Sequence, residues 1–197
     1  HVHQNRLAHS FPEKYAKSFG EVRLIPGRLQ KCANWPDLTG KQDPEKPWLA
    51  GLPRMIFISD MADALSEAVP FEYLRDEIIL PVISWQKNRH IGMWLTKRPE
   101  RMVEFAAWLA AEGIAWPAPL WAGTSAPTQP TANQRVPHLL NVPALVRFLS
   151  AEPLRSELNL RGNGCGPDWL EGWDVEQTQP HGEPAQVQTE KLNLVIC

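Results

Sequence analysis

Ile91-Gly92-Met93-Trp94-Leu95-Thr96-Lys97-Arg98-Pro99-Glu100-Arg101-Met102 is the stretch that decides the fold. The run Ile91 to Leu95 is apolar without alternation, the pattern of a strand buried on both faces. It stops at Thr96-Lys97-Arg98. Pro99 then suits the first turn of a helix, where its missing N–H would have no intrahelical partner. A strand therefore passes directly into a helix, and in α/β proteins that end of a strand is where ligands bind. A hydroxyl, an ammonium and a guanidinium gathered there suit a small anionic ligand. The competing explanation is that Lys97 and Arg98 are solvated charges at a helix start.

The same pattern recurs outward from this stretch. Apolar runs at 55–58, 120–123, 144–149 and 192–197 read as further strands. Between them lie helical stretches. One opens at Pro70 and runs to about Lys87, with Phe71, Leu74, Ile78 and Val82 near helical spacing. A second runs from Pro99 to about Glu112, capped by Gly113, with an apolar face of Met102, Phe105, Ala106, Leu109 and Ala110. A third, short helix runs from Thr131 to Asn141 and is kinked or begun late at Pro137. Residues 1–20 have helical tendency, with Leu7, Phe11, Tyr15 and Phe19 at every fourth position and Pro12 interrupting. Residues 21–53, dense in Pro and Gly, read as a long surface connection pinned to the body by Trp35 and Trp48. Residues 155–190 read as an insertion carrying Trp169 and Trp173.

Sequential apolar strands joined by helices imply right-handed crossovers and a parallel sheet. The expected architecture is α/β: a partial TIM-type (β/α) barrel in a single domain over 1–197, truncated at both ends. The chain begins at His1 and ends within an apolar run, which suggests that flanking elements are lost.

Polar residues follow the strands rather than precede them. In a barrel-like sheet Ser59, Asp60, Thr96, Lys97, Arg98, Thr124, Ser125, Ser150 and Glu152 would share one rim, the face that carries active sites. Asp60 and Asp63 are candidate ligands or acid–base groups, or helix caps, which Ser and Asp make well. Asp60 and Glu152 together could serve as acid and base if they lie close enough to share a substrate. Gly123 would let a ligand approach the backbone closely.

Composition narrows the function. The chain has 197 residues, 43% of them hydrophobic and 21% charged, with net charge −2; this gives no basic footprint for nucleic acid. No run is long enough to cross a bilayer. Cys32, Cys165 and Cys197 are far apart, without metal-ligand spacing. An odd cysteine count favours a reducing, cytoplasmic setting. His1, His3 and His9 have no carboxylate or cysteine beside them to complete a metal site and read as exposed. The nine tryptophans and nineteen prolines cluster at strand–helix borders.

Four segments carry a resemblance: Arg54 to Asp63, Leu95 to Met102, Leu120 to Ser125, and Arg147 to Leu154. Together the chain resembles a phage and prophage family of unknown function marked by a three-cysteine motif and a radical-SAM-like barrel. The match spans about residues 15–160 and resumes at 192–197. The resemblance implies an iron–sulfur cluster held by three cysteines, leaving one iron free to bind S-adenosylmethionine. That motif would lie before His1, and a Gly-Gly-Glu segment would follow Cys197. The chain departs from the family in having Ala151 where Cys or Val is frequent, and Ala126-Pro127-Thr128 in place of an acidic pair. On this resemblance the chain is a fragment of an iron–sulfur enzyme of the radical-SAM-like kind. Lys97 or Arg98 would then pair with the carboxylate of S-adenosylmethionine or with a substrate phosphate, and Glu152 with an amine or ribose hydroxyl. The alternative is a non-enzymatic barrel module that binds a nucleotide or a protein.

Overall fold

The run at 55–58 forms β1 (Met55–Ile58), and the opening stretch forms β2 (Ile91–Thr96). They are followed by β3 (Leu120–Ser125), β4 (Arg147–Ser150), a separate antiparallel pair β5 (Trp173–Glu176) and β6 (Ala185–Gln188), and β7 (Leu194–Ile196). The computed structural model describes residues 6, 8–12, 16, 21–58, 62–161, 167–176, 185–188 and 190–196. The main sheet has the order β1-β2-β3-β4-β7, every pairing parallel. The five apolar runs are thus neighbouring parallel strands in sequence order. With helices between them, this is the α/β arrangement of a partial β/α fold.

The helix after β1 begins at α1 (Phe71–Leu74), widens into a π-helical turn Arg75–Ile79, and returns to α-helix as α2 (Leu80–Ser84). The Leu80 N–H reaches back five residues to the Arg75 carbonyl. The cause sits next in sequence: Pro81 has no N–H to give Glu77, and its ring would clash with that carbonyl in a regular helix. After β2 comes α3 (Pro99–Ala111), with Pro99 in its first turn and Gly113 at φ +75 just past its end. After β3 comes α4 (Gln129–Leu140). It starts earlier than sequence suggested and passes through Pro137 rather than beginning there.

Strand alternation and register divide each strand's side chains between two faces. Ile56, Ile58, Trp94, Leu120, Ala122 and Leu149 lie on the face covered by the helices and belong to the hydrophobic core. There Trp94 meets Phe105 of α3 edge-on, at 5.8 Å between ring centres, and stacks on Trp116 at 5.9 Å. Phe71 packs against Phe105 and Trp108 at 5.3 and 5.9 Å. The tryptophans and aromatics near strand–helix borders are therefore the mortar between α1, α3 and β2. Met102, Phe105, Ala106 and Leu109 are buried on α3 as expected, but Ala110 is exposed.

Two further expectations are corrected. The fourth strand begins at Arg147, not Ala144, and Leu145 is exposed. Trp48 does not pin the 21–53 connection, being 74% exposed. That connection contains a 3-10 turn, Leu29–Asn34, and is fastened instead by Cys32 in the core, by Asn88 donating to the Ala33 carbonyl, and by His90 bonded to the Trp35 carbonyl at 3.1 Å. The 155–190 stretch contains the β5–β6 pair and is anchored by buried Trp169, whose carbonyl accepts the Leu192 N–H at 2.8 Å. The helix expected over 1–20 lies largely outside the described residues.

Candidate functional site

The end of β2 is built around one carboxylate. Asp63 accepts from the Thr96 hydroxyl at 2.8 and 3.0 Å, from the Lys97 backbone N–H at 2.9 Å and from the Leu65 N–H at 3.1 Å. The Arg98 guanidinium completes the cage at 3.3 Å. The Thr96 hydroxyl also accepts the Arg98 N–H at 2.9 Å, so it turns the chain from strand into α3. The anion that this stretch gathers is thus supplied by the protein itself. Charge-assisted bonds of this kind are stronger than neutral ones, and they tie the segment after β1 to the end of β2. Sequence offered Asp63 as a ligand, an acid–base group or a cap; Thr96, Lys97 and Arg98 lie more than thirty positions on, a long-range contact that local spacing does not reveal.

The remaining expected rim residues sort by face. Thr124 is fully buried on the helix face, and its hydroxyl donates to the Thr96 carbonyl at 2.9 Å. Thr96, Thr124 and Arg98 are therefore engaged in holding strand ends. Ser125 and Ser150 are register partners on the opposite face, at the carboxyl ends of β3 and β4. Each is 7% exposed, and neither hydroxyl has a hydrogen-bond partner among the described residues. The Ser125 carbonyl accepts from Arg135 of α4, and the Ser150 carbonyl from the Ala126 N–H, so both backbones are fixed while both hydroxyls stay available. The Lys97 and Glu152 side chains are exposed and make no ion pair among the described residues. Ser59 and Asp60 lie outside the described residues.

Gly123 does not make room for a ligand. A Cβ there would come within 2.2 Å of the Phe148 ring, so the space belongs to Phe148, its register partner on β4. Arg147 is a functional-looking residue that sequence reasoning passed over, since it sits inside an apolar run. It is buried, with its guanidinium donating to the Val142 carbonyl and to Glu190 at 3.0 Å each. Its backbone exchanges two bonds of 2.8 Å with Asn193, which brings β7 into the sheet.

A cavity of about 410 Å³ lies beside β1, lined by Ile56, Phe57, Ile58 and Asp63 on the strand side and by Tyr73, Glu77 and Ile78 on the helix side. Of the expected rim residues that the structure describes, none lines it. Burial pushes the Tyr73 phenol above its ordinary 10.0 and the Glu77 charge adds to this, while the Ile25 backbone and Arg28 act against it. The π-helical turn forms one wall, a feature frequent at functional sites.

Among the described residues no group of three His, Cys, Asp or Glu could hold a metal ion. Cys32 is packed in the core, and burial pushes its thiol above the ordinary 9.0 despite the nearby Arg54. Thiolates, not thiols, bind iron. Cys165 and Cys197 lie outside the described residues. The described residues therefore do not fit an iron–sulfur cluster. The family described as proteins of unknown function, DUF5131, matches residues 1–197. This chain belongs to that family. No curated protein and no solved structure matches it. No helix among the described residues of this family member is long and apolar enough to cross a membrane.

Proposed function

We propose that the chain supplies the ligand-binding rim of a β/α-barrel enzyme, and that the ligand is a small molecule with an anionic group and hydrogen-bonding hydroxyls or amines. One observation carries this: at the carboxyl ends of adjacent parallel strands, Ser125, Ser150, Lys97 and Glu152 have polar side chains with no partner among the described residues. In parallel α/β sheets this is the end at which ligands bind. Lys97 pairs with the anionic group, the serine hydroxyls donate and accept, and Glu152 takes an amine or a sugar hydroxyl. Thr96, Arg98 and Asp63 hold the strand end in place rather than contact the ligand.

The finer reading is an enzyme of the radical-SAM-like kind from a phage or prophage, with S-adenosylmethionine as the ligand. It rests on the sequence resemblance. No iron–sulfur step is assigned to the residues described, because they form no cluster site. S-adenosylmethionine offers a carboxylate to Lys97 and an ammonium or ribose hydroxyls to Glu152.

Isothermal titration with S-adenosylmethionine tests the proposal. The wild-type chain is expected to bind it, and Lys97→Ala to bind at least about tenfold more weakly, since loss of one partner of a desolvated charge pair costs roughly 2–5 kcal/mol. The fold of Lys97→Ala is expected to survive, with stability changed by less than about 0.5 kcal/mol. Absence of binding by the folded wild type overturns the choice of ligand. Equal binding by both chains leaves Lys97 a solvated charge.

A further inference from the structure

Taking the rim of the proposed function as the ligand site, we infer that Phe148 determines which ligands it accepts. The ring closes the site beneath Ser125 and Ser150, so the group held between these serines is small and polar, with no aryl or alkyl substituent directed along the sheet face. For S-adenosylmethionine this selects the amino-acid end or the ribose and turns away the adenine. The register supplies the layers. Ser125 and Ser150 are partners at the carboxyl ends of β3 and β4. Side chains on one face recur every second residue. The layer beneath the serines therefore holds Leu95, Gly123, Phe148 and Leu194, joined in register from β2 to β7. The next layer holds Phe57, Met93 and Trp121.

One polar layer thus lies above two apolar ones. Gly123 is the member of the middle layer without a side chain, and at that point the serines would open onto Trp121. The Phe148 ring takes the place instead. Three of its carbons crowd the point where a Gly123 Cβ would stand, and the side chain is fully buried. Neighbouring strands are about 4.8 Å apart, so the ring has leaned from β4 across to β3. Close-packed interiors admit little extra volume, and a ligand's apolar substituent would overlap the ring. The serines discriminate in the same direction. Each is only 7% exposed, and neither hydroxyl has a partner among the described residues. A polar group reaching them supplies the missing hydrogen bonds, whereas an apolar group covers both hydroxyls and leaves them unpaired.

The experiment is an NMR titration of the whole chain with benzene, a probe that needs no charge on the rim. The wild type is expected to show no saturable shift of the Gly123, Ser125 or Ser150 amides. Phe148→Ala leaves a phenyl-sized space with apolar walls, the kind that takes up benzene, and is expected to bind it at least about tenfold more tightly than the wild type. Its Gly123, Ser125 and Ser150 amides are expected to shift together. Where Phe148→Ala fails to fold, Phe148→Leu decides on the same amides, with xenon as the probe for its smaller space. The inference is overturned if benzene shifts these amides in the wild type, if the folded variant takes up no probe, or if it takes up the probe without moving Ser125 and Ser150. Failure of the wild type to bind S-adenosylmethionine is a separate result: it overturns the choice of ligand, and the benzene titration still decides whether the ring closes the site.

Discussion

The two faces of the main sheet are made from similar residues and end in different states. On the helix face, Ile56, Ile58, Trp94, Leu120, Ala122 and Leu149 are all in the core, and the polar groups Thr96, Thr124 and Arg147 are each bonded within the chain. On the other face Met55, Phe57 and Leu194 stay more than a third exposed, and the hydroxyls of Ser125 and Ser150 have no partner among the described residues. That second face is closed at Met93, Ser125, Phe148 and Ser150, which are buried, with the Phe148 ring over Gly123. The difference separates roles that lie side by side in sequence. Residues pointing to the helices hold the fold, while on the other face Met55, Phe57 and Leu194 stay open to the surface.

The largest expected effects would break this comparison if they failed. Trp94→Ala removes a fully buried indole stacked on Trp116 and is expected to cost about 3–5 kcal/mol in urea unfolding. Met55→Ala, on the second face of the neighbouring strand, is expected to cost about 1 kcal/mol or less. Equal losses would mean that the faces do not differ. Gly123→Ala sharpens the comparison by testing the closed middle. Overpacking against Phe148 is expected to destabilise by about 1–3 kcal/mol. Combining it with Phe148→Leu should recover part of that loss, because the two residues touch and are not additive. A tolerated Gly123→Ala would place the ring elsewhere.

Asp63→Asn comes next. The amide keeps one acceptor but cannot pair with Arg98 or accept from Thr96, Lys97 and Leu65 together. The expected loss is about 1–3 kcal/mol. A change below about 0.5 kcal/mol, the level of an ordinary surface substitution, would show that the cage around Asp63 does not hold the end of β2.

Much of the fold was legible because the evidence for it is local. Unalternating apolar runs gave the five parallel strands, Pro99 and Gly113 marked the ends of α3, and Phe71, Leu74, Ile78 and Val82 gave the helix after β1. What stayed hidden depends on contacts distant in sequence. Met55 and Ile56 are equally apolar, so the run does not reveal which of them the helices cover. Thr96, Lys97 and Arg98 suited an anion, but not that the anion was Asp63. Gly123 suited a close approach, but not that the approaching group was Phe148. The β5–β6 pair lacked an apolar run, and Arg147 was masked by one. Of the expected rim, Ser125, Ser150, Lys97 and Glu152 keep side chains available, whereas Thr96, Arg98 and Thr124 are engaged within the fold.

Thr124 and Ser125 are adjacent in sequence and on opposite faces, so they test the division between fold and ligand most directly. The measurement is one set of calorimetric titrations with S-adenosylmethionine on Thr124→Val and Ser125→Ala, with thermal unfolding of the same samples. Thr124→Val loses the bond to the Thr96 carbonyl and is expected to lose about 1 kcal/mol of stability with affinity unchanged. Ser125→Ala is expected to keep its stability within about 0.5 kcal/mol while affinity falls roughly fivefold, the worth of one hydrogen bond to a ligand. Affinity lost in Thr124→Val and kept in Ser125→Ala would contradict the account.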